Sequence, residues 1–290
     1  MQSSFRVPQF SDLAVKDNIV VSYFSHWAKV VVPFAKKVGG KIGFLDFFSG
    51  SGKYEDGSKA TPLLLLRNAA ACEEMANMLV SIFCDKESKN LIKLKQSVAN
   101  MECVEKLTHA PLFEKGISFD DLICNLQKIR LLPSLLAIDP FHIKDLNLEL
   151  LSSYIKDGNI DCFFQIPFSL LERMIENPFK AKYLETIFGK TTADMLKTVS
   201  GRLNAQQREH FIVKTFLSGL KNLKGYHSIV LSYKQDGDVC YLIFVTRYVP
   251  RYRFMKELMI KKGYSEIVIS NHESGQTEKN NVLVQAGLFG

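Results

Sequence analysis

The sequence predicts an α/β fold built on a mostly parallel, seven-stranded sheet that ends in an antiparallel hairpin. Apolar runs with strand character alternate with stretches at helical spacing, a pattern typical of parallel sheets with crossover helices. Near the carboxyl end, residues 226–233 and 239–246 flank an Asp236-Gly237 pair, which is a strong hairpin signal. The helical pattern at about residues 170–223 is too long for a simple crossover, so it predicts a helical insertion.

The first predicted strand, at about Lys41–Phe48, runs into a glycine-rich turn. The segment Asp46–Lys53 reads D-F-F-S-G-S-G-K. Glycine lets the backbone approach a ligand closely, because no side chain intervenes. The candidate ligand-binding residues of this segment are Asp46, Phe47, Ser49, Gly50 and Gly52.

The residues around Gly50 and Gly52 decide whether this segment matches two other glycine-rich motifs. A phosphate-binding P-loop requires glycine where Phe47 stands and Ser or Thr where Tyr54 stands, so we reject a P-loop. A dinucleotide fingerprint requires a third glycine where Glu55 stands, and a bulky charged side chain there would disturb helix packing. NAD is therefore the second candidate cofactor.

Polar residues follow two further predicted strands. Because ligands of open α/β sheets bind at the carboxyl ends of the strands, these residues are site candidates. For the first group, a solvated charge cluster that caps the following helix is the structural alternative. The candidates are Asp85, Lys86 and Glu87 after the run 79–84, and Asp139, Pro140, Phe141 and His142 after the run 135–138.

The order and spacing of five segments, within about Ile19 to Lys262, resemble the three-Cys-motif partner protein (TcmP) family. That family is regarded as class I methyltransferase-like, with a Rossmann-like fold, and is named for a neighbouring protein that carries three cysteines. The resemblance implies a bacterial or phage setting and S-adenosylmethionine as cofactor. The segments are Phe44–Tyr54, Asp56–Gly57, Thr61–Leu63, Asp139–Phe141 and Tyr241–Arg247.

The resemblance also implies roles at the cofactor site. The amides around Gly50 and Gly52 would face the cofactor, and Asp46 would meet its amino acid moiety through water or backbone. Asp85 stands where class I enzymes accept hydrogen bonds from the ribose hydroxyls. Glu87 is close enough to take that role instead, since strand boundaries read from sequence err by a few residues.

For the acceptor, Asp139–Phe141 resemble the D/N-P-P-Y/F signature of amino-methyltransferases, which implies an exocyclic amino group of a nucleic-acid base. Asp139 and the Pro140 carbonyl would accept hydrogen bonds from that group. Stacking of the base on Phe141 would contribute about 1–3 kcal/mol. His142 stands where the family usually has a small residue, and it is either a proton acceptor, a substrate contact or a loop histidine bonded to backbone.

A second hypothesis belongs to a different class, because fold does not establish turnover. The chain has a single proline before Phe141, whereas the form known for adenine methylation has two. The alternative is a methyltransferase-like, non-catalytic binding subunit in a complex with the three-cysteine partner.

Composition limits the partners. The 37 basic and 30 acidic residues give a net charge of +7, which favours DNA or RNA without demanding it, so protein and small-molecule acceptors stay open. The six cysteines are scattered singly and predict neither a zinc site nor disulfides, which fits a reducing compartment. With no apolar secretory core and no run of spanning length, we expect a soluble, cytoplasmic protein without a membrane partner.

The predicted domain organisation has two parts. Residues 1–40 form a helical segment, with a helix at about Asp17–Val38, packed on the core of a methyltransferase-like domain at 41–290. The insertion is rich in basic residues and is either a source of substrate contacts or a structural cap. We also expect a third strand at about Glu102–Thr108 and a helix that begins at Pro62 and is capped by the Thr61 hydroxyl.

Overall fold

The computed structural model describes residues 14–116, 121, 123–124, 133–138, 148–157, 159–177, 179, 181–219, 226–235 and 237–264. Its centre is one seven-stranded sheet. The strands are β1 (Ile42–Phe47), β2 (Leu79–Asp85), β3 (Leu112–Lys115), β4 (Ser134–Ile138), β5 (Ile160–Pro167), β6 (His227–Gln235) and β7 (Asp238–Thr246).

The strand order, β3-β2-β1-β4-β5-β7-β6, confirms the predicted sheet. The first five strands along the chain pair in parallel, and β7 lies antiparallel between β5 and β6. In β1, Phe47 lies opposite Cys84 of β2 on one side and Ile138 of β4 on the other. The chain therefore reverses its direction of winding between β1 and β4, the position at which ligands bind in open α/β sheets.

The helices form two layers, one on each face of the sheet. In the first layer, the helix that begins at Ala14 packs on the core. The second contains four helices between β5 and β6 and confirms the helical insertion. No helix of the described ranges has the length and apolar character needed to cross a membrane. The first layer holds α1 (Ala14–Lys37), α2 (Thr61–Ala70), α3 (Glu73–Met78), α4 (Ser88–Ala99) and α10 (Val249–Lys261), and the second α5 (Leu148–Asp157), α6 (Phe168–Glu176), α7 (Ala181–Phe188), α8 (Lys190–Ser200) and α9 (Ala205–Gly219).

Two local predictions were wrong. The third strand lies at Leu112–Lys115, and Val104–Lys106 form a short 3-10 helix instead. This strand is a mostly exposed sheet edge, so its sequence carries no buried apolar run. The Thr61 hydroxyl makes no capping bond to α2, because it donates its hydrogen to the buried carboxylate of Asp17.

A buried carboxylate, Asp161, joins four elements at the amino end of β5. It accepts hydrogen bonds from Tyr23 Oη of α1 at 2.7 Å and from Thr246 Oγ1 of β7 at 2.5 Å. Arg251 Nη1 of α10 lies 3.3 Å from both carboxylate oxygens. Burial raises the pKa of the Asp161 carboxyl, and the charge of Arg251 and these hydrogen bonds oppose that rise.

Replacement of Arg251 by methionine should destabilise the fold strongly. The change leaves the fully buried Asp161 charge without its cationic partner, and breaking a buried ion pair in this way costs about 3–5 kcal/mol. Urea denaturation of the full chain measures the loss. Arg253→Met, an exposed position on the same helix, is the matched control and should change the free energy of unfolding by less than about 0.5 kcal/mol. Equal effects of the two changes would contradict this role of the ion pair.

Candidate functional site

The turn after β1 has an unusual backbone. Phe48, Gly50 and Gly52 adopt positive φ angles of 81°, 63° and 77°. A bulky residue such as Phe48 rarely adopts this conformation, which costs on the order of 1–3 kcal/mol and persists only where the surroundings hold it. The glycines take it without that steric cost. The turn therefore reverses the chain tightly at the carboxyl edge of the sheet.

Hydrogen bonds to β2 hold the turn in this conformation. The amides of Phe48 and Ser49 both donate to the Cys84 carbonyl at 2.9 Å. Ser49 Oγ donates to the same carbonyl at 3.2 Å. These three bonds converge on one carbonyl and attach the start of the turn to the end of β2. The Ser49 side chain is used for this purpose and is 6% exposed.

Asp85, at the end of β2, connects the turn to the next helix. Its Oδ2 accepts the amide of Gly50 at 3.0 Å, and its Oδ1 accepts the amide of Glu87 at 2.8 Å. Asn90 Nδ2 of α4 lies 3.3 Å from both oxygens. Asp85 thus contacts both the glycine turn and the start of α4, and its contact with the ribose of a cofactor stays a prediction. Lys86 is half-buried, and the Glu87 side chain is exposed.

Sequence reasoning missed Asn90. The available signal was its position five residues after the strand-end acid, in the first turn of the helix that follows. An amide side chain there faces the carboxylate because the connection between β2 and α4 is only two residues long. Asn90 holds both Asp85 oxygens in one orientation.

The two glycines of the turn differ in their surroundings. A Cβ on Gly52 would lie 2.5 Å from Leu94 Cδ1 and 3.3 Å from Leu63 Cγ, so this residue packs directly on α2 and α4. A Cβ on Gly50 would meet nothing within 4 Å. The backbone at Gly50 therefore faces open space beside Asp85, whereas Gly52 allows close packing of the loop.

Beyond the turn, the loop is anchored to α1. The buried Asp17 accepts hydrogen bonds from Tyr54 Oη at 2.8 Å and from the Thr61 amide at 2.9 Å. Between these points the amide of Tyr54 donates to the Ser58 carbonyl at 2.9 Å, which closes a small exposed turn. Tyr54 is thus a structural anchor, and Glu55 and Asp56 are exposed.

The remaining predicted residues have different outcomes. Asp46 is 5% exposed and lines a pocket at the ends of the central strands. Phe47 is 3% exposed and packs in the hydrophobic core with residues of the second helical layer, and its role at a cofactor stays a prediction. The predicted acceptor residues Asp139, Pro140, Phe141 and His142 lie outside the described residues.

Cys84 lies beneath the turn but offers no reactive thiolate. Burial raises the pKa of its thiol, and the charges of Asp46, Glu114 and Asp85 raise it further. The thiol stays protonated at neutral pH, and nucleophilic chemistry requires the thiolate. The described residues also contain no group of three or more His, Cys, Asp or Glu that could hold a metal ion.

A small pocket opens beside Asp46 on the α1 side of the sheet, with room for about one water-sized group. Gln165 of β5 is 2% exposed and lines this pocket. Its Nε2 donates to Gln235 Oε1 at 2.6 Å, and its Oε1 has no hydrogen-bond partner among the described residues. A buried, unpaired carbonyl costs about 1–3 kcal/mol, so Gln165 is a further functional candidate that the sequence analysis missed.

No protein-family model matches the chain, and no curated protein matches it. The resemblance to the TcmP family therefore stays a prediction. Among solved structures, the methyltransferase domain of a bacterial Hen1 is 14% identical, with a TM-score of 0.37 and coverage of 77% of this chain and 98% of that one. A Legionella pneumophila protein of the family DUF519 is 11% identical, with a TM-score of 0.44 and coverage of 87% and 91%. An O-methyltransferase from Bacillus cereus, solved with S-adenosylhomocysteine, is 11% identical, with a TM-score of 0.41 and coverage of 82% and 92%.

These similarities concern the fold alone. Several of the similar proteins are methyltransferases by name. The assignment of a site and an activity to this chain rests on its own residues.

Replacement of Gly52 by alanine should destabilise the protein more than the same change at Gly57. Both glycines have positive φ, so both variants carry a similar backbone penalty. Only at position 52 does the added Cβ collide with Leu94, and such overpacking costs about 1–3 kcal/mol. The difference in free energy of unfolding, measured in urea, isolates the packing contribution. Equal values would show that the loop shifts freely away from α4.

Proposed function

We propose that this chain is an S-adenosylmethionine-dependent methyltransferase that acts on an exocyclic amino group of a nucleic-acid base. The observation that carries the proposal is the 3.0 Å hydrogen bond from the Gly50 amide to Asp85 Oδ2. It joins a glycine turn and a strand-end acid at the carboxyl edge of adjacent parallel strands, beside the point where the winding of the sheet reverses.

The residues at this edge fit the cofactor. Open space above Gly50 allows a ligand to approach the backbone, and the adjacent Asp85 carboxylate is suited to accept hydrogen bonds from ribose hydroxyls. Asn90 holds that carboxylate in place. Asp46, in the wall of the neighbouring pocket, would face the amino acid moiety. When bound, S-adenosylmethionine would supply an electrophilic methyl group to the acceptor nitrogen; its sulfonium would become a thioether, and the proton lost by the nitrogen would pass to water.

The acceptor side of the proposal rests on the residues that follow β4. The last residue of that strand, Ile138, pairs with Phe47 of β1, so the chain leaves β4 beside the start of the glycine turn. Asp139 and the Pro140 carbonyl would orient the amino group by accepting its hydrogens. Phe141 would stack on the base. Positioning and exclusion of water supply most of the catalysis in such a displacement.

A nucleic-acid acceptor is supported by the net charge of +7 and by exposed cations on the helical insertion. Lys182, Lys190 and Arg202 are exposed and suited to phosphate contacts. Arg208 is engaged otherwise, since its Nε lies 3.1 Å from Glu172 and its Nη1 lies 3.3 Å from Glu176. We therefore assign the phosphate contacts to Lys182, Lys190 and Arg202.

Replacement of Gly50 by valine should lower the affinity for S-adenosylhomocysteine by about tenfold or more, equal to about 1.4 kcal/mol. The added side chain enters the open space beside Asp85 while the protein stays folded. Isothermal titration with S-adenosylmethionine, S-adenosylhomocysteine and NAD measures the effect and tests the second candidate cofactor at the same time.

Gly57→Val is the matched control for this titration. Gly57 also has positive φ and open space around its Cβ position, but it lies in the exposed part of the loop. Its replacement should leave the affinity unchanged. If wild-type protein binds NAD and neither adenosyl compound, the cofactor assignment is overturned. If both variants bind as wild type does, the location of the pocket is wrong.

Replacement of Asp139 by alanine should reduce methyl transfer about 100-fold or more while most of the cofactor affinity remains, because Asp139 would act on the acceptor rather than on the donor. Transfer of a tritiated methyl group to total nucleic acid and to total protein, alongside cofactor titration, measures both effects. Labelling of protein alone would replace the nucleic-acid acceptor with a protein one. Cofactor binding without labelling of either pool, even with the three-cysteine partner present, would favour the non-catalytic binding subunit.

A further inference from the structure

The pocket beside Asp46 is built for a single polar group. Its wall contains five apolar residues from α1 and the central strands, together with four polar ones. The space at its centre accommodates about one water-sized group, so it fits one functional group of a ligand and not a whole ring. The lining residues are Val20, Ala137, Ile138, Phe163 and Leu242, with Lys16, Asp46, Thr61 and Gln165.

The polar groups of this pocket favour a hydrogen-bond donor as its occupant. Gln165 is held by its bond to Gln235, and that bond leaves Oε1 as an unpaired acceptor in a buried wall. The carboxylate of Asp46 and the ammonium of Lys16, which carry opposite charges, line the same space, and the Thr61 hydroxyl donates to Asp17. The acceptor that this wall leaves open is Gln165 Oε1, which is complementary to an N–H bond of an amino group.

The pocket lies at the strand ends from which the two proposed parts of the reaction centre continue. Asp46 lies two residues before Phe48, where the glycine turn begins, and Ile138 ends β4. Gln165 follows Phe164, which is the β5 partner of Ile138. An amino group in this pocket would therefore lie beside the ends of both β1 and β4.

We propose that Gln165 Oε1, beside Asp46, binds an amino group during the reaction. This inference rests on the proposed methyltransferase function and deepens it. The amino group comes either from the amino acid end of the cofactor or from the acceptor. In both cases Gln165 is a positioning residue: an amide oxygen does not take up a proton at neutral pH, so it holds the N–H bond without removing the hydrogen.

Titration of Gln165 variants of the full chain tests the first source. The probes are S-adenosylhomocysteine and 5′-methylthioadenosine, which lacks the amino acid end. If the cofactor supplies the amino group, Gln165→Met should weaken binding of S-adenosylhomocysteine about tenfold or more and leave binding of 5′-methylthioadenosine unchanged. Gln165→Glu keeps an acceptor oxygen and should retain the affinity.

Methyl transfer to total nucleic acid tests the second source. If the acceptor supplies the amino group, Gln165→Met should bind S-adenosylhomocysteine as wild type does and lose transfer about tenfold or more. The concentration of nucleic acid at half-maximal rate should rise in this variant, and Gln165→Glu should restore it. A purely structural role would not produce this rescue.

Gln235→Leu is the matched control, because it removes the neighbour that holds the amide and leaves the acceptor oxygen in the pocket. Its effect should be smaller than that of Gln165→Met. Urea denaturation verifies folding, and Gln165→Leu replaces the methionine variant if that one does not fold. Wild-type behaviour of the folded apolar Gln165 variant in both assays would overturn the inference. Failure of the wild-type chain to bind S-adenosylhomocysteine would instead overturn the proposed function, and the inference with it.

Discussion

The central constraint on this molecule is that β1 is enclosed on all sides. Each of its six residues is buried, β2 and β4 pair with its two edges, and helices cover both faces of the sheet. The chain can leave β1 only at its carboxyl end, and it must then return to pack α2 against the same sheet. This return begins with positive φ angles at Phe48, Gly50 and Gly52, which the glycines adopt without steric cost. The turn thus begins directly where the enclosed strand ends.

Buried and half-buried carboxylates hold the segments that this constraint brings together. Asp85 connects the turn with α4, and Asp17 connects the rest of the loop with α1 and α2. At the amino end of β5, on the side of the sheet away from the glycine turn, Asp161 links α1, β5, β7 and α10. In each case one carboxylate accepts several hydrogen bonds, which offsets the cost of removing its charge from water. The space above Gly50 can therefore stay open to a ligand while the turn keeps its conformation.

The same arrangement separates structural from functional polar groups. Some polar side chains form hydrogen bonds with neighbouring groups of the chain and hold the loop in its conformation. They are Ser49, Tyr54 and Asp17. Gln165 is different, because its amide oxygen is buried without a partner among the described residues. Since an unpaired acceptor is costly, its presence beside Asp46 is what distinguishes this pocket from ordinary packing defects.

The sequence by itself determined the order of the elements, the glycine turn and the strand-end acid Asp85, because buried strands and turn residues leave local patterns. It placed the third strand ten residues too early, because the exposed edge strand Leu112–Lys115 has no apolar run to recognise. Only the tertiary structure decided that Thr61 bonds to Asp17, that Asn90 holds Asp85, and that Gln165 faces the pocket. Those contacts join residues on separate elements, and the geometry that brings them together exists only once the sheet and both helical layers have assembled.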